Sequence, residues 1–106
     1  ILGGVLSFVE LGDTLQLVSL DASYRREGIG TSLVAAAIDH ARILGLRRVL
    51  LTTTNDNATA LIFWQRLGFR LEARYVQSVY QDGKWLDEQI YALLREEWEK
   101  RGGGPA

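Results

Sequence analysis

The hydrophobic and polar positions of this chain follow two rhythms, and each change of rhythm marks an element boundary. Leu2 to Glu10 and Thr14 to Leu20 are rich in β-formers, and Leu11-Gly12-Asp13 between them is turn-like. The pair predicts a β-hairpin. From Leu33 the apolar residues fall at Val34, Ala37, Ile38, Ala41 and Leu44, the i, i+3, i+4 spacing of an amphipathic helix, with Gly45 as its stop. Arg48 to Thr54 is short, β-branched and apolar enough for a strand buried on both faces, so a strand, helix, strand unit follows. Asn55-Asp56-Asn57 supplies capping side chains for a shorter helix carrying Ala60, Leu61, Phe63, Trp64 and Leu67, which Gly68 closes. Phe69 to Tyr80 and Leu86 to Leu94 read as strands joined through Asp82-Gly83, a pair suited to a tight hairpin turn. Glu96 to Arg101 has room for one frayed helical turn, and Gly102-Gly103-Gly104-Pro105 is a flexible tail. The expected layout is a single domain over 1–95 with a tail over 96–106, in the order β-β-α-β-α-β-β, with no internal repeat.

Composition narrows the chemistry. With 106 residues, 47% of them hydrophobic, the chain can bury one modest core. Its charged residues nearly cancel, to a net charge of -1, which gives no general drive toward nucleic acid or an anionic membrane. An anionic ligand must be met locally. There is no cysteine and one histidine, His40, so neither a thiolate site nor a histidine metal cluster is expected. No apolar run approaches the ~20 residues of a membrane span, and nothing resembles a signal peptide. The expectation is a cytoplasmic protein without a metal. The chain has no methionine and opens on Ile1 inside a strand-like run, so residues ahead of it are expected.

Ser23-Tyr24-Arg25-Arg26-Glu27-Gly28-Ile29-Gly30-Thr31 links the second strand to the first helix and has the most chemical content. A helix start offers unpaired backbone N–H groups and partial positive charge, to which phosphates bind. Gly28 and Gly30 let the backbone approach an anion closely, and Arg25 and Arg26 add charge beside it. The loop lacks the Gly-Lys-Ser/Thr ending of a P-loop and the third glycine of a dinucleotide fingerprint. Taken alone it fits a tight strand-to-helix turn as well as a diphosphate site.

A second segment changes that balance. Arg25-x-x-Gly28-x-Gly30 resembles the Q/R-x-x-G-x-G/A signature of the GNAT superfamily of N-acetyltransferases. Asn57-x-x-Ala60-x-x-Phe63-Trp64-x-x-x-Gly68-Phe69 resembles its second cofactor-binding segment, N-x-x-A-x-x-φ-Y-x-x-x-G-F with φ apolar. The resemblance extends from Ile1 to about Leu94. It implies an α/β (α+β) fold with a mixed, mainly antiparallel twisted sheet and two helices, and acetyl-coenzyme A as co-substrate. By the same resemblance, Val18, Ser19 and Leu20 lend backbone groups to the acetyl carbonyl and pantetheine arm. The loop Arg25, Arg26, Glu27, Gly28, Ile29, Gly30 and Thr31 cradles the pyrophosphate. Asn57 hydrogen-bonds the pantetheine, and Ala60 and Trp64 lie on the helix lining the other side. Asn57 is equally suited to be a helix N-cap.

The chain departs from the family pattern at three places. Trp64, seven residues after Asn57, stands where the family usually carries a tyrosine that protonates the leaving thiolate, and an indole N–H is no usable acid. Tyr75, Tyr80 and Tyr91 are alternatives that the sequence does not place. The second strand offers Thr14 and Gln16 where a glutamate base is common; Asp21 is a further carboxylate, better suited to capping. The catalytic residues therefore stay unassigned. The family's usual opening strand and helices, which wall the acceptor groove, have no counterpart, so Gly4 to Val9 would present an apolar unpaired edge. Pairing through this strand, with a second copy or with a detached N-terminal segment, is expected.

His40 and the mixed-charge run from Arg95 to Arg101 read as solvated surface. The resemblance implies direct transfer of an acetyl group from acetyl-coenzyme A to a primary amine whose identity the sequence does not give. Two other readings stand beside it: an acyl-coenzyme-A-binding regulatory module without catalysis, and a generic nucleotide-phosphate domain.

Overall fold

The computed structural model describes residues 4–22 and 28–100. Along the chain come β1 (Gly4–Leu11), β2 (Thr14–Ala22), α1 (Ile29–Ile43), β3 (Arg48–Thr54), α2 (Ala58–Arg66), β4 (Arg70–Gln81), β5 (Lys84–Leu94) and α3 (Arg95–Lys100). The strands form one sheet in the order β1-β2-β3-β5-β4, in which β2 and β3 are the parallel neighbours and every other adjacent pair is antiparallel. The α+β class and the mixed, mainly antiparallel sheet are as expected from the sequence.

Local chemistry explains the boundaries. Asp82 and Gly83 both take positive φ, 52° and 78°, as a two-residue turn matched to the strand twist requires. The first helix begins at Ile29, ahead of its apolar stripe, because Gly28 turns the chain in a left-handed conformation (φ 75°, ψ 11°).

The connection from β2 through α1 to β3 and that from β3 through α2 to β4 step across the sheet in the same direction. Right-handed crossovers then put both helices on one face. The core confirms it. Sheet pairing aligns Leu15, Val49 and Leu93 in one row and Leu17, Leu51 and Tyr91 in the next. These buried rows join Val34, Ala37, Ile38 and Ala41 of α1 with Trp64 of α2 and Leu67 just beyond it. Gln65 of α2 donates a hydrogen bond to the Tyr91 hydroxyl at 3.2 Å.

The opposite face carries polar cover instead. There Arg48 donates to the Thr14 hydroxyl (3.0 Å) and pairs with Glu72 (3.1 Å), while Arg70 reaches Glu97 (3.0 Å). Both outer strands leave apolar side chains in solvent, Phe8, Val9 and Leu11 on β1 and Tyr75, Val76 and Tyr80 on β4.

The segment after Leu94 is more firmly held than its polar composition implies. Glu97 reaches back to accept from the Leu94 N–H at 2.8 Å, half of a capping box, and Trp98 is fully buried in the core. The indole N–H of Trp98 has no hydrogen-bond partner among the described residues. Trp98→Ala is expected to cost about 3–5 kcal/mol of stability in urea unfolding. Trp98→Phe should cost much less, because it keeps most of the packing and removes an unpaired buried donor.

Candidate active-site cleft

The site begins with a sheet that stops being a sheet. β2 and β3 are paired only from Thr14–Arg48 to Leu17–Leu51, although β2 continues to Ala22 and β3 to Thr54. The cause lies on the other side of β2. Against β1, Leu17 faces Phe8 and Ser19 faces Ser7, which leaves Val18 as an extra residue with no partner. Such a bulge bends its strand and increases the local twist. Parallel pairing ends at the residue before it, and the two strands part.

The gap opens into a cleft of about 490 Å³. Its walls are Leu17, Val18 and Leu20 from β2, Leu51, Thr52 and Thr53 from β3, Gly30 from α1, and the stripe of α2 that includes Thr59, Ala60, Phe63, Trp64 and Arg66, with Asn57 at its head. The structure thus brings together Val18, Leu20, Gly30, Asn57, Ala60 and Trp64. Gly28, Ile29 and Thr31 sit at the start of α1 beside Gly30, without forming the cleft wall. Arg25, Arg26 and Glu27 lie outside the described residues, as do the side chains of Ser19 and Asp21.

The two glycines serve different needs. Gly28 supplies the positive φ that turns the chain into α1, and it caps the helix without any side-chain hydrogen bond. Gly30 supplies closeness: a Cβ there would lie 3.4 Å from the Phe63 ring of α2. The N–H groups of the first turn of α1 therefore open beside the cleft, and among the described residues no side chain caps them.

Asn57 fills the capping role. Its Oδ1 accepts from the Ala60 N–H at 3.2 Å, which leaves the side-chain NH₂ to donate elsewhere. Trp64 packs edge-on to Phe63 (4.9 Å) and Phe69 (5.3 Å) and is only 7% exposed, so it is at once core and cleft floor. None of Tyr75, Tyr80 and Tyr91 lines the cleft: Tyr91 is buried under Gln65, and the other two project from the outer strand β4. Thr14 is committed to Arg48 and Asp13. His40 lies away from the cleft, half-exposed, 3.7 Å from Glu10 and against the Phe8 ring.

Two residues of interest were not singled out from the sequence. Arg66 forms part of the cleft wall, and its signal was its place three residues after Phe63 on the same stripe. Glu88 is a half-buried carboxylate that accepts from the Ser78 hydroxyl at 2.9 Å and has no basic partner among the described residues. It stands opposite Thr54 and Tyr75 at the end of the sheet where the cleft opens. No sequence periodicity marks it.

A parallel strand pair that splays at a bulge, with a glycine-started helix and an asparagine-capped helix over the gap, gives this α+β domain its distinguishing feature. The family model described as "Acetyltransferase (GNAT) family" matches residues 3–69, and the chain belongs to that family. YxbD of Bacillus subtilis is 36% identical over 76 residues, which are 72% of this chain and 48% of that protein. The chain thus matches about half the length of this relative. Among solved structures, smu.2055 from Streptococcus mutans UA159 aligns with a TM-score of 0.80 at 27% identity, covering 87% of this chain and 62% of that one. A Bacillus subtilis acetyltransferase in complex with CoA shares the fold at 24% identity, with a TM-score of 0.76 over 89% of this chain and 70% of its own.

Asn57→Ala is expected to lower stability by about 1 kcal/mol through loss of the α2 cap, with Asn57→Asp close to the parent. Thermal unfolding of the two variants checks this.

Proposed function

We propose that the chain is the acetyl-coenzyme-A-binding core of an N-acetyltransferase that transfers the acetyl group directly to a primary amine. The observation that carries the reading is the bulge-opened gap between β2 and β3, with the start of α1 on one side and Asn57 on the other. In this reading the pyrophosphate lies on the N–H groups that open at Gly28 to Thr31, with Arg25, Arg26 and Glu27 completing the loop. Asn57 donates its free NH₂ to a pantetheine carbonyl. The thioester lies where the strands part, within reach of backbone groups of Val18, Ser19 and Leu20.

The chemistry follows from that placement. A neutral amine attacks the thioester carbonyl carbon, and a backbone N–H of the bulged strand stabilises the developing oxyanion. The C–S bond then breaks, with the electron pair leaving on sulfur. A thiol of ordinary pKa near 8.5 is a good leaving group at neutral pH, so solvent can supply the sulfur's proton. This relieves Trp64 of the acid role. Glu88 is the candidate to take the ammonium proton through water: it does not line the cleft itself, but among the described residues it is the half-buried carboxylate at the open end of the sheet without a cation.

The open edge of β1 belongs to the same proposal: it takes a strand from a second copy or from a preceding segment. No described helix is long and apolar enough to cross a membrane. A cytoplasmic setting goes with the reading.

A second reading is favoured by one observation, that no tyrosine among the described residues lines the cleft. It keeps the cofactor site and drops catalysis. Calorimetric titration with acetyl-coenzyme A, together with thiol release over a panel of primary amines, separates the two. The proposal expects binding and turnover on at least one amine, with Glu88→Gln lowering kcat by about 10²-fold or more while acetyl-coenzyme A still binds. Binding without turnover on any amine marks the regulatory module, and absence of binding rejects both.

A further inference from the structure

We infer that Arg66 is the binding residue for the ribose 3′-phosphate of coenzyme A, an inference that rests on the cofactor reading above. The starting observation is a pattern of charge pairing. Among the described residues, Arg42, Arg47, Arg48, Arg70, Arg74 and Arg95 each lie within 4 Å of a carboxylate: Asp39, Asp13, Glu72, Glu97, Asp87 and Glu99 respectively. Arg66 has no such partner among them, and of these arginines it alone lines the cleft. Among the described residues no carboxylate lines the cleft, and none of them compensates its charge where an anionic ligand would lie.

Its position on α2 decides which anion. Phe63 and Arg66 are one helical turn apart, and the Phe63 ring abuts Gly30 at the start of α1. Arg66 therefore stands in the wall of the same cleft, one turn along α2 from the residue that meets the start of α1, where the diphosphate is assigned. The diphosphate is already met by the first-turn N–H groups of α1. The remaining anion of the cofactor is a phosphate monoester, close to a dianion at neutral pH. A guanidinium binds such a group through two parallel hydrogen bonds, which an ammonium cannot reproduce.

A plain structural role is the alternative, since a cation in the last turn of α2 complements the helix dipole. That role would change the stability of α2 and leave ligand preference untouched. The test is calorimetric titration of the parent, Arg66→Gln and Arg66→Lys with coenzyme A and with 3′-dephospho-coenzyme A. The parent is expected to prefer coenzyme A by about tenfold. Arg66→Gln should erase that preference while binding the dephospho ligand as the parent does, and Arg66→Lys should recover part of it. Equal weakening toward both ligands, or an unchanged preference, overturns the inference. A parent that binds neither ligand overturns the cofactor reading itself, and this inference with it.

Discussion

One unpaired residue on β2 governs the architecture. Val18 has no partner on β1, and the parallel ladder with β3 ends one residue earlier. A continuous ladder would close the sheet and leave nothing between the helices but core. The bulge costs the hydrogen bonds of the parted strands, and the gain is a gap whose rims carry backbone groups free to meet a ligand. The cleft walls are otherwise ordinary core elements seen from their open side.

The helices can flank that gap because both crossovers fall on the same face. Their apolar stripes close over the Leu15–Val49–Leu93 and Leu17–Leu51–Tyr91 rows, so the site rests on the best-packed part of the molecule. The other face is held by ion pairs of Arg48 and Arg70 that are partly or largely exposed. Such pairs contribute little to stability, which places most of the folding energy on the helical side and at Trp98.

Much of this was legible in the sequence, for identifiable reasons. The helix periods, the Gly45 and Gly68 stops and the Asp82-Gly83 turn act within a few residues of themselves, so the element order could be read directly. The roles of Gly28 and Asn57 were local too. What could not be read depends on contacts between distant segments. The bulge at Val18 exists only as a register between two strands, and the family resemblance, not the residues themselves, pointed to that stretch. Trp98 lies in a run of charges whose composition suggests solvent, and only its docking against the core shows otherwise. Arg66 is conspicuous because every other described arginine is matched, a comparison no linear pattern makes. Glu88 needed the pairing of β3, β5 and β4 to reach the open end of the sheet.

The contact of Gly30 with Phe63 also bears on what the cleft walls can tolerate. A Cβ at position 30 would already touch the Phe63 ring, so the bare backbone is what lets the start of α1 sit against α2. Leu20, beyond the bulge on β2, reaches the same place, 3.8 Å from the Cβ position of Gly30, and packs on the core. Strand and both helices thus converge on one residue without a side chain, and bulk added there would be felt by all three cleft walls at once.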